Sequence, residues 1–193
     1  MTRVVYFTAC TLDGFIADEH DSLDWLFEVP HSADDGSWDA FIGRIGPMVT
    51  GTTTYRWMMD RHFTEHPEQY AEFYGDRPLW VFTHQDLPGI PGAEVHVVSG
   101  AVAGVYDELV AAAGGRDIWV IGGGDLVGQF DDAGLLDEVH LGMTPVTLGA
   151  GRPLLPRRIT SSRMRFREAQ QSGQRVRIVL DVDRRGAVQG FQG

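Results

Sequence analysis

Apolar and polar positions along this chain follow two rhythms, a period of two and a period near 3.6, and segments with each rhythm take turns. Arg3 to Cys10 reads as a strand rich in Val, Tyr and Phe, broken by an Asp-Gly turn within Thr11 to Ala17 before a second short apolar piece. Acidic sequence from Asp18 to Asp24 leads to Trp25-Leu26-Phe27. The face Trp38, Phe41, Ile42, Ile45 then predicts a helix over about 35–45, ended by Gly46-Pro47. Met48 to Thr50 predicts a brief strand, Thr52 to about Asp60 a helix, and the stretch to Gly75 is polar with interspersed aromatics. Strands follow at Pro78 to Thr83 and Glu94 to Val98, a helix at Val102 to Ala113, a buried strand at Asp117 to Ile121 and a short helix at Asp125 to Phe130. Leu136 to Met143, Arg163 to Gln171 and Gln174 to Asp183 are strands, the last two joined through Ser172-Gly173 as a hairpin. Alternating βα units followed by an antiparallel hairpin predict an α/β domain with a mixed sheet over residues 1–185, and 186–193 read as a frayed tail.

Length and composition narrow the function classes. The 193 residues suit one domain with a full core, and a net charge of −11 argues against nonspecific binding to nucleic acid or an anionic membrane. All sixteen basic residues are arginine, and the lack of lysine excludes a phosphate-binding P-loop lysine and Schiff-base chemistry. Ten arginines fall between Arg152 and Arg185. Because Arg163, Arg165 and Arg167 alternate with Met164 and Phe166, and Arg175 and Arg177 with Val176 and Ile178, they are assigned to the outer face of the hairpin rather than to an anion site. The single cysteine, Cys10, reads as a small core residue and leaves no disulfide. No stretch approaches membrane-spanning length, and the cytoplasm is the expected location.

Candidate chemistry centres on Ile118-Trp-Val-Ile-Gly-Gly-Gly-Asp-Leu-Val127, where an apolar strand runs through three glycines into a helix. Such a junction either brings backbone N–H groups to an anion or is simply a tight turn. His62 and His66 would share a helix face and could hold a metal with Glu65 or Glu68, but no further ligands cluster near them, so no metal is expected.

Taken in order, Thr11-Leu-Asp-Gly-Phe-Ile-Ala17, Val49-Thr-Gly-Thr-Thr-Thr-Tyr55, Val120-Ile-Gly-Gly-Gly-Asp-Leu126 and Pro145-Val-Thr-Leu-Gly-Ala-Gly-Arg-Pro-Leu154 resemble the dihydrofolate reductase fold. The match is closest to the reductase domain at the C-terminus of the riboflavin-biosynthesis protein RibD, and covers roughly residues 3 to 183. The resemblance implies a three-layer fold with a mostly parallel central sheet, flanking helices and a C-terminal antiparallel hairpin. It implies an NAD(P)H-dependent reductase acting on a pterin-like or ribosylaminopyrimidine-like substrate. Authentic dihydrofolate reduction, or a nucleotide-binding module without chemistry, are the alternatives. The histidine, cysteine and glutamate signature of RibD's deaminase half is absent.

Carried over residue by residue, the resemblance places the backbone around Ala9 and Ile16 against the nicotinamide, with Asp13-Gly14 shaping the turn. Gly51, Thr52, Thr53 and Thr54 would hold the pyrophosphate at a helix start. Ile121, Gly122, Gly123, Gly124, Asp125 and Leu126 would flank it from the other side, Asp125 complementing the helix dipole. Relatives commonly carry arginine, which pairs with the 2′-phosphate of NADPH, where this chain has Thr52; NADPH is therefore expected with NADH tolerated, and Arg56 or Thr83 and His84 could supply the missing contact. Asp35 is the expected proton source, with Asp34 and Asp39 as neighbours, and Trp25 or Trp38 either walls the pocket or packs the core. The resemblance further implies a homodimer, with the hairpin from Arg163 to Asp183 as the candidate surface.

Overall fold

The computed structural model describes residues 1–30 and 37–184. In chain order the elements are β1 (Val4–Thr11), β2 (Phe15–Ala17), α1 (Asp24–Phe27), α2 (Ser37–Gly43), β3 (Ile45–Gly51), α3 (Thr52–Met58), α4 (Gln69–Tyr74), β4 (Leu79–Phe82), β5 (Val95–Val98) and α5 (Val102–Ala113). They continue with β6 (Asp117–Gly122), α6 (Gly124–Asp132), β7 (Leu136–Thr144), β8 (Arg152–Pro153), β9 (Met164–Ser172) and β10 (Arg175–Val182). Eight strands form one sheet in the order β5-β4-β3-β6-β1-β7-β10-β9, and β2 pairs with β8 in a separate ribbon. The six strands from β5 to β7 run parallel, and β10 is antiparallel to both β7 and β9. This is the mostly parallel sheet with a terminal antiparallel hairpin that the sequence pattern predicts.

Strand alternation sorts the core into two layers. Val4, Tyr6, Ile118 and Val120 face α5 and α6, packing with Leu109, Val127 and Phe130. Val5, Trp119, Met48 and Leu79 face the opposite way, against Phe41, Tyr55, Met58 and Phe63. Strands covered on both faces need apolar side chains at nearly every position, which is why β1, β3 and β6 read as continuous apolar runs. Cys10 is buried in the first layer, and burial pushes its thiol up to about 11.

Several local expectations differ. Ile45, expected on a helix face, starts β3, and α2 already ends at Gly43. Pro47 does not terminate a helix; it sits inside β3 where the pairing with β6 shifts register, a place in a sheet that tolerates a residue with no N–H. Gly46 is held there by packing, since a Cβ would lie 3.0 Å from the backbone of Ala113 at the end of α5. The helix starting at Thr52 widens into a π-helical turn over Met59–Phe63. The polar stretch before Gly75 contains α4, whose buried Tyr70 packs on Phe63. The expected tail at 186–193 lies outside the described residues.

The hairpin arginines are not simply an outer face. On β10 it is Val176 that is exposed, while Arg175 and Arg177 are half-buried. Arg175 reaches under α1 and donates to the carbonyls of Leu26 and Val29 at 2.9 and 3.0 Å, and Arg177 pairs with Glu168 across the hairpin. Just before β9, Arg163 reaches the fully buried Asp131 at 2.6 Å. Arginine's long apolar stem lets it occupy an inward strand position while its head finds an anion or carbonyl, so alternation alone misassigns it.

Near the start of β7, Glu138 is 1% exposed and accepts from His140 at 2.8 Å, Arg44 at 2.7 Å, Arg167 at 3.0 Å, and Arg3. Asp117 also binds Arg44, and Asp181 also binds Arg167. Burial alone would raise the Glu138 carboxyl, but these donors together outweigh it and hold the group far below its ordinary value. The network ties the residues just before β1 and β3 to β6, β7, β9 and β10.

Candidate active site

Two helix starts at the carboxyl ends of adjacent strands frame a cleft of about 820 Å³. Gly51 is the extended residue before α3, and Gly123 is the extended residue before α6. Both helix starts line the same space, and a helix's first turn, whose N–H groups have no partner within the helix, is the arrangement that accepts an anionic group. The Gly122-Gly123 peptide is cis, and a Cβ at Gly122 would lie 3.1 Å from the Thr54 hydroxyl. Backbone and hydroxyl therefore form the floor where most residues would place a side chain. Gly124 has a different reason to be glycine. A Cβ there would meet the carbonyl oxygens of Pro153 and Leu154 at 2.3 and 2.5 Å, so the start of α6 is docked on that segment.

The β2–β8 ribbon covers one side of the cleft. Asp13 fixes it: its carboxylate accepts from Thr11 at 2.6 Å and from the backbone of Leu148 and Gly149 at 3.0 and 2.7 Å, contacts that hold it below its usual value, the Thr11 hydroxyl foremost. Leu154 N donates to Gly14 O at 2.9 Å, completing the join between the first loop and the segment before β9. Asp13 is thus more than a turn-former. Within the same cover, Arg152 grips Asp21 at 2.5 and 3.0 Å, and both line the cleft.

Of the residues singled out from sequence, Ile16, Gly51, Thr52, Thr53, Thr54, Thr83, His84, Ile121, Gly122, Gly123, Gly124, Asp125 and Leu126 all line this cleft. Asp125 is neutralised, binding Arg157 at 3.0 Å and Gln129 at 3.0 Å, with its carboxyl held low by both. Arg56 stands outside the lining but binds the side chain of Gln85, which is in it, at 2.7 Å. Asp34 and Asp35 lie outside the described residues, and Asp39 is exposed on α2. His62 packs on Trp57 and Phe73, whereas His66 meets Glu68 at 3.2 Å on the surface.

Ala9 does not line the cleft. It belongs to a second cavity of about 450 Å³ beside it, where Ala9 and its strand partner Gly142 lie with Phe7, Leu26, Trp38, Trp119 and Arg175. Phe7, Trp38 and Trp119 stand within 6.2 Å of one another, and Trp119 spends its N–H on Phe7 O at 3.0 Å. Trp38 is thus a chamber wall and Trp25 a buried packing residue. Thr8, Tyr74 and Ile121 line both cavities and form the boundary between them. Sequence reading missed Phe7, Trp119 and Tyr74. Phe7 and Trp119 had a signal, since each occupies the strand face opposite Tyr6 and Val120; Tyr74 had none, because its helix was not expected.

The sequence pattern of the RibD C-terminal domain matches residues 53–178. This chain belongs to the RibD C-terminal domain family. A family relative of this length, the uncharacterized protein YwjB of Bacillus subtilis, is 31% identical over 91% of this chain and 95% of its own. A Shewanella sp. PV-4 protein provisionally named for riboflavin biosynthesis superposes with a TM-score of 0.76 at 23% identity, over 95% of this chain and all of that one. Dihydrofolate reductase from Enterococcus faecalis, solved with NADP(H) and RAB-propyl, superposes with a TM-score of 0.58 at 15% identity, over 95% of this chain and 96% of that one. The dihydrofolate reductase-like fold of this RibD C-terminal domain member follows from these likenesses. Among its described residues, no helix is long and apolar enough to cross a membrane.

Proposed function

We propose that this RibD C-terminal domain protein is an NAD(P)H-dependent reductase, with the dinucleotide in the cleft and a flat substrate in the aromatic chamber. The observation that carries the reading is the juxtaposition of the two cavities across Thr8, Tyr74 and Ile121. Two glycine-preceded helix starts facing one cleft fit a dinucleotide, and the cleft volume lies in the ordinary range for a small-molecule site. When bound there, a dihydronicotinamide supplies the hydride. Gly122, Gly123 and Thr54 would hold the pyrophosphate, while Ile16 and the ribbon carrying it would exclude water from the nicotinamide end. Thr52 in place of arginine leaves Arg56, one turn along α3 and bound to Gln85 of the lining, as the cation beside that helix start, which supports NADPH with NADH also accepted.

The substrate in this reading is pterin-like or ribosylaminopyrimidine-like, since both present the flat ring that Phe7, Trp38 and Trp119 would enclose. Asp35, the proton source expected from the sequence, lies outside the described residues. A homodimer belongs to the same reading, supported by the exposed Phe166 on the edge strand β9.

Titrating the protein with NADPH and NADH, by tryptophan quenching and energy transfer to the dihydronicotinamide, tests this reading. Saturable binding with a modest preference for NADPH is expected, and binding of neither would remove it.

A further inference from the structure

The reductase reading leaves open what completes the reaction once a hydride has been delivered, and the boundary between the cavities holds a group suited to that task. Among the described residues, the chamber lining contains no carboxylate. It contains two hydroxyl-bearing side chains, Thr8 and Tyr74, and both also line the cleft. The Thr8 hydroxyl donates to the carbonyl of Ala9 at 3.2 Å. Tyr74 is different. Its ring is fixed by Tyr70, Phe63 and Trp119 at centroid distances of 5.3, 6.3 and 5.9 Å, yet its hydroxyl has no hydrogen-bond partner among the described residues. The other two tyrosines of this aromatic layer spend theirs: Tyr55 donates to Pro88 O at 2.6 Å and Tyr70 to Arg77 O at 2.7 Å. A hydroxyl with no protein partner at the meeting point of two cavities is free to donate to a ligand that offers an acceptor there.

Resting on the reductase reading, we infer that Tyr74 is the catalytic proton donor, and that the substrate is a flat-ringed carbonyl compound whose oxygen points at the Tyr74 hydroxyl from within the ring of Phe7, Trp38 and Trp119. The carbonyl carbon accepts the hydride pair from the dihydronicotinamide and forms a C–H bond. The C=O π pair moves onto oxygen, which takes the Tyr74 proton to give an alcohol. The tyrosinate recovers a proton from water, and the dinucleotide leaves oxidised. Burial pushes the Tyr74 hydroxyl up to about 12, so it stays protonated and able to donate across the neutral range. Trp119 cannot take this role, because its N–H is bonded to Phe7 O.

The test uses the full chain with NADPH and 2-naphthaldehyde as the probe, comparing wild type, Tyr74→Phe and Asp35→Asn. Cofactor binding is measured first by tryptophan quenching, so that a wild type that binds no cofactor overturns the reductase reading, whereas binding without aldehyde turnover overturns the substrate class alone. Expected for Tyr74→Phe is a fall in kcat of roughly 100-fold or more, with cofactor affinity and KM changed by less than about threefold. Retained kcat in Tyr74→Phe, or a comparable loss confined to Asp35→Asn, would overturn the assignment. Should Tyr74→Phe fold poorly by circular dichroism, the wild type's solvent deuterium isotope effect on kcat substitutes: a normal effect is expected, and none would remove proton transfer from a hydroxyl as a slow step.

Discussion

The cleft and the chamber share a wall but are made of opposite materials. Apart from the residues they share, the cleft carries the glycines and threonine hydroxyls of the two helix starts, whereas the chamber carries the rings of Phe7, Trp38 and Trp119 with Leu26, Arg175 and the small pair Ala9 and Gly142. Backbone N–H groups recognise any phosphate of the right spacing. Aromatic walls recognise shape, and they discriminate among substrates by how much of a ring they cover. The difference teaches where variation can be tolerated. A cleft built on main chain survives most substitutions except those at its glycines, while a chamber built on side chains can be retuned one ring at a time.

The largest expected effect strikes the support common to both cavities. Glu138→Gln leaves Arg3, Arg44 and Arg167 around a neutral group, with Asp117 and Asp181 still balancing two of them. Loss of about 3 kcal/mol in a urea melt is expected, the lower end for breaking a buried ion pair. Because the folded Glu138 carboxyl titrates below its ordinary 4.5, its contribution is complete above that value and is lost as pH falls through the folded value. Acid should therefore destabilise the wild type more steeply than Glu138→Gln, and parallel acid curves would count against the network.

Gly124→Val breaks the cleft and spares the chamber. The added side chain strikes the carbonyls of Pro153 and Leu154, and overpacking of this kind costs about 1–3 kcal/mol. Relief by a shift of α6 moves the Gly122 and Gly123 backbone, so NADPH affinity should fall roughly tenfold or more in the quenching titration, with the far-ultraviolet dichroism preserved. An unchanged affinity would detach the cofactor from this end of the molecule.

Trp38→Ala is the converse and the smallest effect. Trp38 is 36% exposed, so its removal should cost little stability, but it takes away one ring of the chamber wall. A rise in KM of roughly fivefold, corresponding to about 1 kcal/mol for one aromatic contact, is expected with NADPH affinity unaltered. A change in cofactor affinity instead would mean that the two cavities are one.

How far the molecule was legible from its residues follows the same division. The cleft residues come in contiguous motifs, each a strand running into a helix through glycine, so their order along the chain announces their geometry. Ala9 lines the chamber alone while Thr8 before it lines both cavities, and motif spacing does not report such a division. The chamber's walls come from β1, α1, α2, α4, β6, β7 and β10, one to three residues each. No local pattern links Phe7 to Trp119 or Tyr74. The inward arginines escaped for a related reason, since Arg175 finds its partners at Leu26 and Val29, about 150 positions away.

Local periodicity and turn chemistry by themselves determined the parallel sheet, its two-faced core, the terminal hairpin and the glycine-rich helix starts, because each depends on neighbours within a few residues. Tertiary structure alone decided the strand order, the docking of α6 on Leu154, the ring of arginines around Glu138 and the meeting of Thr8, Tyr74 and Ile121 between two cavities. These depend on contacts between residues far apart in the chain, whose energy is set by packing and desolvation in the assembled fold rather than by any segment's own preference.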